Sequence, residues 1–183
     1  MKEKMDITDI VFKIKSEVPR FDREDFIEYT KWTLPKLYSI VKNEKEIDIE
    51  CSKELIDKLR DNKEEYRIKK EIDYISIQYT ELVDFDKDDD NVYVKVYMSI
   101  YFKDDVSNNA INIDNRDRFW NDIWIVTYKK SLLYKNIDPI CSNCGAIMKY
   151  NNIDGILKCD YCSNIMICND NQNWEMIDIE VKH

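Results

Sequence analysis

Apolar positions recur at helical spacing in the first third of the chain and at strand spacing through its middle. Ile7, Ile10, Val11, Ile14 and Val18 share one face over residues 5–18, which predicts a first helix. Asp22 reads as the N-cap of a second. Phe21 and Phe26 stand at the two positions of a hydrophobic staple around that cap. Its stripe continues through Tyr29, Thr33, Leu37, Ile40 and Val41. Pro35 lies inside this run and is expected to kink or end it, because proline cannot donate the backbone hydrogen bond. Ser52 caps a third helix carrying Leu55, Ile56 and Leu59.

The period then changes to two. Ile75, Ile77, Tyr79, Val83 and Phe85 are expected on one face of a strand, opposite Ser76, Gln78, Thr80 and Asp84. Val92, Val94, Val96, Met98, Ile100 and Phe102 alternate with Tyr93, Lys95, Tyr97, Ser99, Tyr101 and Lys103. A third strand is predicted over Phe119 to Lys129, with Trp120, Trp124, Val126 and Tyr128. Asp86 to Asn91 and Asp104 to Asp117 connect these strands and are too polar for crossover helices, so the sheet is expected to be antiparallel. Helices followed by strands predict an α+β layer, with the helices packed on the sheet's apolar face.

The turn at Asp84, Asp86, Asp88 and Asp90 has the alternation of a calcium loop. Asp89 stands where such a loop needs glycine and Lys95 where it needs a bidentate glutamate, so a solvated hairpin tip is the better reading.

Cysteine spacing adds a second unit. Cys141-Ser-Asn-Cys144-Gly145 is followed by Cys159-Asp-Tyr-Cys162, with fourteen residues between Cys144 and Cys159. Two such pairs at this distance are the spacing of a zinc ribbon, each pair aiming two sulfurs at one centre. Cys141, Cys144, Cys159 and Cys162 are therefore the expected ligands of one structural zinc ion. A rubredoxin-type iron site and a redox dithiol are the rivals. Gly145 fits the first turn, where positive φ is needed, and Ser163 holds the equivalent place in the second. Ile147-Met148 and Ile156-Leu157 are expected as short strands joined through Asn151 to Gly155. Cys168 reads as a spectator and Cys51 as a buried or helix-edge thiol. The chain of 183 residues thus divides into a helix-and-sheet domain at 1–135 and a ribbon with a C-terminal strand at 136–183.

Charge narrows the partners. There are 28 Lys and Arg against 37 Asp and Glu, a net charge of −9. Residues 136–183 hold three Lys against seven acids, and four thiolates on a divalent ion add about two further negative charges. Such a surface repels phosphate backbones, so no nucleic-acid partner is expected. No stretch approaches the ~18 apolar residues of a membrane span, and the N-terminus lacks a signal-like apolar core, which makes a cytoplasmic location the expectation. Lys2, Lys4, Lys13 and Lys15 surround the first helix. Packing on its own domain is the simpler reading, and peripheral membrane contact through residues 1–18 is the second.

Catalytic patterns are sparse. The only histidine is His183, and there is neither a glycine-rich phosphate loop nor a nucleophile elbow. A non-catalytic module that binds another protein is therefore the expected function. A small-ligand or enzymatic site on the concave sheet face is the alternative.

Several segments taken in order carry a resemblance. They are Phe21-Asp-Arg-Glu-Asp-Phe26, the helix with Leu37-Tyr38, the run Cys51 to Leu59, Trp124-Ile-Val-Thr-Tyr128-Lys-Lys-Ser131, the ribbon, and Asn173-Trp174 before an alternating tail. This order resembles bacterial proteins of the Tim-forty-four-like family, in the branch with a C-terminal zinc ribbon. Those proteins are similar to the C-terminal domain of the scaffold subunit of the mitochondrial import motor. Lys130 and Ser163 stand where that family often has Arg and Gly. The resemblance implies a curved antiparallel sheet of cystatin-like or nuclear-transport-factor-like type covered by helices. It also implies a scaffolding or protein-transport role.

Overall fold

Three capped helices come first, and each cap is a short polar side chain. In the computed structural model, which describes residues 6–68, 72–104, 119–132, 140–148, 156–167 and 174–182, α1 spans Ile7–Glu17, α2 Arg23–Asn43 and α3 Lys53–Asp61. Asp6 accepts from Thr8 N at 2.7 Å, Asp22 from Asp25 N at 3.0 Å, and Ser52 from Leu55 N at 3.2 Å. The staple expected around Asp22 forms, with the Phe21 and Phe26 rings 5.3 Å apart. At the other end of α2, Glu44 turns left-handed at φ 53 and closes the helix.

Pro35 neither ends α2 nor divides it. Its missing donor costs one backbone bond, but the turns beyond it bury Leu37, Tyr38, Ile40 and Val41. Packing of that face outweighs the local preference. The α1 stripe is likewise spent on the domain's own core: Ile10 and Ile14 are fully buried, and Phe12 on the opposite side is exposed.

The sheet is antiparallel, in the order β1-β2-β3-β6. Its strands are β1 Ile72–Lys87, β2 Asn91–Asp104, β3 Phe119–Ser131 and β6 Glu175–Lys182. The short strands β4 Ile156–Lys158 and β5 Ile165–Ile167 form a separate pair. Among the described residues the fold is thus α+β, with three helices and a four-stranded antiparallel sheet. The β2 row Val92, Val94, Val96, Met98, Ile100 and Phe102 is completely buried beneath the helices. The core side of β2, beneath the helices, is filled by side chains.

The phase of β1 departs from strict alternation. Register shifts lie between Ile77 and Tyr79 and between Leu82 and Asp84. Each β-bulge turns the following side chains to the opposite face. Thr80 therefore faces Met98 and Leu82 faces Val96 on the core side, while Tyr79, expected inside, is exposed. The Thr80 hydroxyl is buried there with no hydrogen-bond partner among the described residues. Thr80→Val is expected to raise stability by about 1 kcal/mol, since it removes an unpaired polar atom while keeping the shape. The denaturant midpoint at constant m-value reads this directly.

The C-terminal strand corrects the domain division. β6 pairs with β3 from Lys129–Glu175 to Ile123–Lys182, so it belongs to the main sheet and not to the ribbon. Trp174, Met176 and Ile179 are fully buried in the main core. Trp174 packs on Phe26 at 4.9 Å and on Phe21 at 6.0 Å. Its carbonyl accepts from Tyr29 Oη at 2.7 Å. The ribbon is consequently an insertion between two neighbouring strands. Glu50 to Ser52 lies along the outer edge of β6, with Ser52 N donating to Met176 O at 2.9 Å and Met176 N to Glu50 O at 3.1 Å.

Candidate metal centre

Each cysteine pair sits in a tight turn, and the two turns are built alike. Cys141 N donates to Ala146 O at 2.8 Å and Gly145 N to Cys141 O at 2.9 Å. In the second turn Cys159 N donates to Asn164 O at 2.8 Å and Ser163 N to Cys159 O at 2.9 Å. These bonds fold the backbone back on itself, so both sulfurs of a pair leave on the same side. The fifth residue of each turn needs positive φ, and Gly145 adopts φ 73. An added Cβ at Gly145 would meet nothing within 4 Å, so backbone conformation rather than space selects glycine.

Ser163 takes φ 60 in the equivalent place. A side chain in this left-handed region costs about 1 kcal/mol. Ser163→Gly is therefore expected to stabilise the ribbon by roughly that amount, seen as up to about fivefold tighter metal binding in a chelator competition.

The four sulfurs converge, all lying within 4.8 Å of one another. Cys141 Sγ is 3.6 Å from Cys162 Sγ, and Cys144 Sγ is 3.6 Å from Cys159 Sγ. A disulfide would need about 2.05 Å. A tetrahedral ion with ~2.3 Å metal–sulfur bonds needs sulfurs about 3.8 Å apart, and the arrangement fits it. Cys141 and Cys159 are buried, Cys162 is half-buried and Cys144 reaches the surface. Ala146 and Met148 pack on this cluster as a small second core.

Electrostatics prepare the sulfurs for a cation. Backbone N–H groups of Cys144 and Asn143 point at the Cys141 sulfur and bring its thiol down to about 6. The Asn143 side chain and the Asn164 backbone lower Cys162. Cys144 goes the other way, to about 12. The Ala146 N–H favours its thiolate, but the neighbouring sulfurs of Cys162, Cys159 and Cys141 outweigh it. Clustered thiols cannot all ionise against one another, whereas a divalent ion at their centre removes that obstacle. Asn164 Nδ2 lies 3.9 Å from Cys141 Sγ and 3.4 Å from Ser142 Oγ, which ties the second turn to the first.

Pairing of the ribbon strands differs from expectation. Ile156–Lys158 pairs with Ile165–Ile167 around the second cysteine turn, and Ile147 bridges to Ile140 around the first. Each hairpin closes on its own turn because the turn itself brings its two flanks together. The expected junction at Asn151 to Gly155, and Cys168, lie outside the described residues, as do residues 1–5, residues 105–118 and His183.

The remaining candidates are accounted for locally. At the acidic turn the Asp88 carboxylate accepts from Asp90 N at 2.9 Å, Asn91 N at 2.7 Å and Tyr93 Oη at 2.7 Å, as a hairpin tip requires. Burial first, and the Glu175 charge second, push the Cys51 thiol up to about 12, which makes it a poor nucleophile. Sequence reading missed one pair. Arg67 grips Asp122 through two bonds, Nε to Oδ2 at 2.5 Å and Nη2 to Oδ1 at 3.0 Å. Asp122 lies on the core phase of β3, opposite Ile100, and that misplaced acid was the available signal. A cleft of 410 Å³ also opens between α2 and residues 47–50, walled by Tyr29, Trp32, Ile47 and Glu50. Lys36 lies over the Trp32 ring at 4.6 Å and pairs with Asp48 at 2.7 Å along its rim. Comparisons with protein-family models, with curated proteins and with solved structures find no match for this chain.

Proposed function

We propose that this protein is a zinc-stabilised, non-catalytic interaction module whose partner is another protein. The observation that carries the reading is the closed sulfur set of Cys141, Cys144, Cys159 and Cys162. Four sulfurs complete a tetrahedron and leave no coordination position for water or substrate, so the ion's work is structural. Thiolates at this spacing favour zinc over harder divalent ions. Around the centre, Ile140, Ile147, Tyr161 and Ile165 are all exposed. Apolar side chains displayed on a metal-stiffened unit are the composition of a contact surface. A scaffolding role in protein transport or at a membrane-side assembly is the form suggested by the Tim-forty-four-like resemblance.

The test is affinity purification of the tagged chain from its native cell after mild crosslinking, beside a chain lacking the ribbon. A set of proteins lost with the ribbon is expected. Substrate turnover by the purified chain, or a partner set that ignores the ribbon, overturns the reading. A second reading, a small-ligand binder, draws support from the cleft beside Trp32. A small molecule retained through purification would favour it.

A further inference from the structure

The outer face of the sheet is unusually aromatic for a surface turned to solvent. An antiparallel sheet with one buried face normally shows polar residues on the other. Here Tyr74, Tyr79 and Phe119 are each at least half exposed, at 54%, 52% and 51%, and Ile123 is exposed beside them. Tyr97 meets Tyr79 at 6.0 Å, and Tyr101 stacks on Phe119 at 5.4 Å. The bulges in β1 are what place Tyr79 on this side.

We propose that this face is a homodimer interface, occupied by the same face of a second copy of the chain. Area supports it. Four strands about 4.8 Å apart, with the 13 residues of β3 rising ~3.3 Å each, present roughly 800 Å². A standard interface takes about 800 Å² from each partner. Charge specifies the occupant and its orientation. One end of the face carries Lys103, with Lys182 nearer the middle, and the other carries Asp84 and Asp86, with Glu81 midway; Lys95 and Lys129 on that acidic half are already paired with Glu180 and Glu175, so its surplus charge stays negative. A two-fold axis lying between the sheets and across the strands sets the basic end of each copy on the acidic end of the other. An axis along the strands would set like on like. Complementary charge selects the first arrangement and fixes its register. In that register Lys103 stands over the partner's hairpin end, where Asp86 and Tyr93 are cross-strand neighbours.

Sedimentation velocity of the full chain across a range of concentrations tests this. A species of twice 22.1 kDa is expected, growing with concentration and weakening with salt. Tyr79→Asp should abolish it while leaving the thermal melt of the monomer in place, because that side chain lies outside the core. Lys103→Glu and Asp86→Lys should each weaken association about tenfold, and together should restore it to near the parent value. A chain that stays monomeric throughout, a dimer indifferent to Tyr79→Asp, or a double variant no tighter than the single ones overturns the proposal. The metal centre plays no part in it, so its failure leaves the zinc reading untouched.

Discussion

Cys159→Ser will lose the metal and unfold residues 140–148 and 156–167, while the helix-and-sheet layer keeps a cooperative melt. The ribbon's own core is little more than Cys141, Met148 and Cys159. That apolar area cannot hold its segments together, and metal binding supplies the folding energy of such units, on the order of 10 kcal/mol. Serine gives a weaker ligand than thiolate, and the other three sulfurs cannot close the shell. Metal content should fall from one ion per chain to none. Limited proteolysis should cut within the ribbon and spare the sheet. The main layer loses only the constraint on a long loop, a matter of about 1 kcal/mol. If the whole chain instead lost its melt, the ribbon would be holding β6 in place.

Trp174→Ala will do the opposite, unfolding the main domain although it stands next to the ribbon in sequence. Trp174 is fully buried, with the Phe21 and Phe26 rings against it and Lys130 5.8 Å above its ring. Removing a buried tryptophan leaves a cavity that the surroundings only partly fill, at a cost of about 3–5 kcal/mol. That is a large share of the total stability of an ordinary domain. Trp174→Phe should cost less, because the buried indole N–H has no partner among the described residues to lose. A chemical-denaturation series on the three chains separates these outcomes. Metal retention by the Ala variant in low denaturant would show the ribbon standing after the sheet has gone.

The parts legible in the sequence are those set by neighbours along the chain. Asp22, Ser52 and the Phe21–Phe26 staple act within one turn of a helix, so the local pattern carries them. The four-sulfur cluster was legible because Cys141, Cys144, Cys159 and Cys162 report their geometry through spacing alone, and their convergence within 4.8 Å follows it. Features set by distant partners were not legible. Where β1 bulges depends on its register with β2, and nothing in residues 75–85 alone announces it. Arg67 finds Asp122 across 55 positions of sequence. Pro35 was read by its local penalty, whereas its helix survives on tertiary packing. β6 was grouped with the ribbon because it follows it, yet its Trp174, Met176 and Ile179 complete a core begun by α2.

The place of β6 also bears on the order of events during synthesis. The chain makes α1 through β3 first, then the ribbon, and only then the strand that fills the last of the core. Until that strand leaves the ribosome, the edge of β3 and the pocket awaiting Trp174 stand open to misplaced pairing. The ribbon emerges during this interval and, on the metal-stabilised reading proposed above, folds as soon as it takes up an ion. Once closed, it draws the two ends of a long connection together. Each halving of the effective loop lowers the closure cost by about 0.6 kcal/mol. Supply of the ion at the moment of translation would then speed completion of the sheet, and a shortage would prolong the exposed state even in a chain whose finished fold is stable.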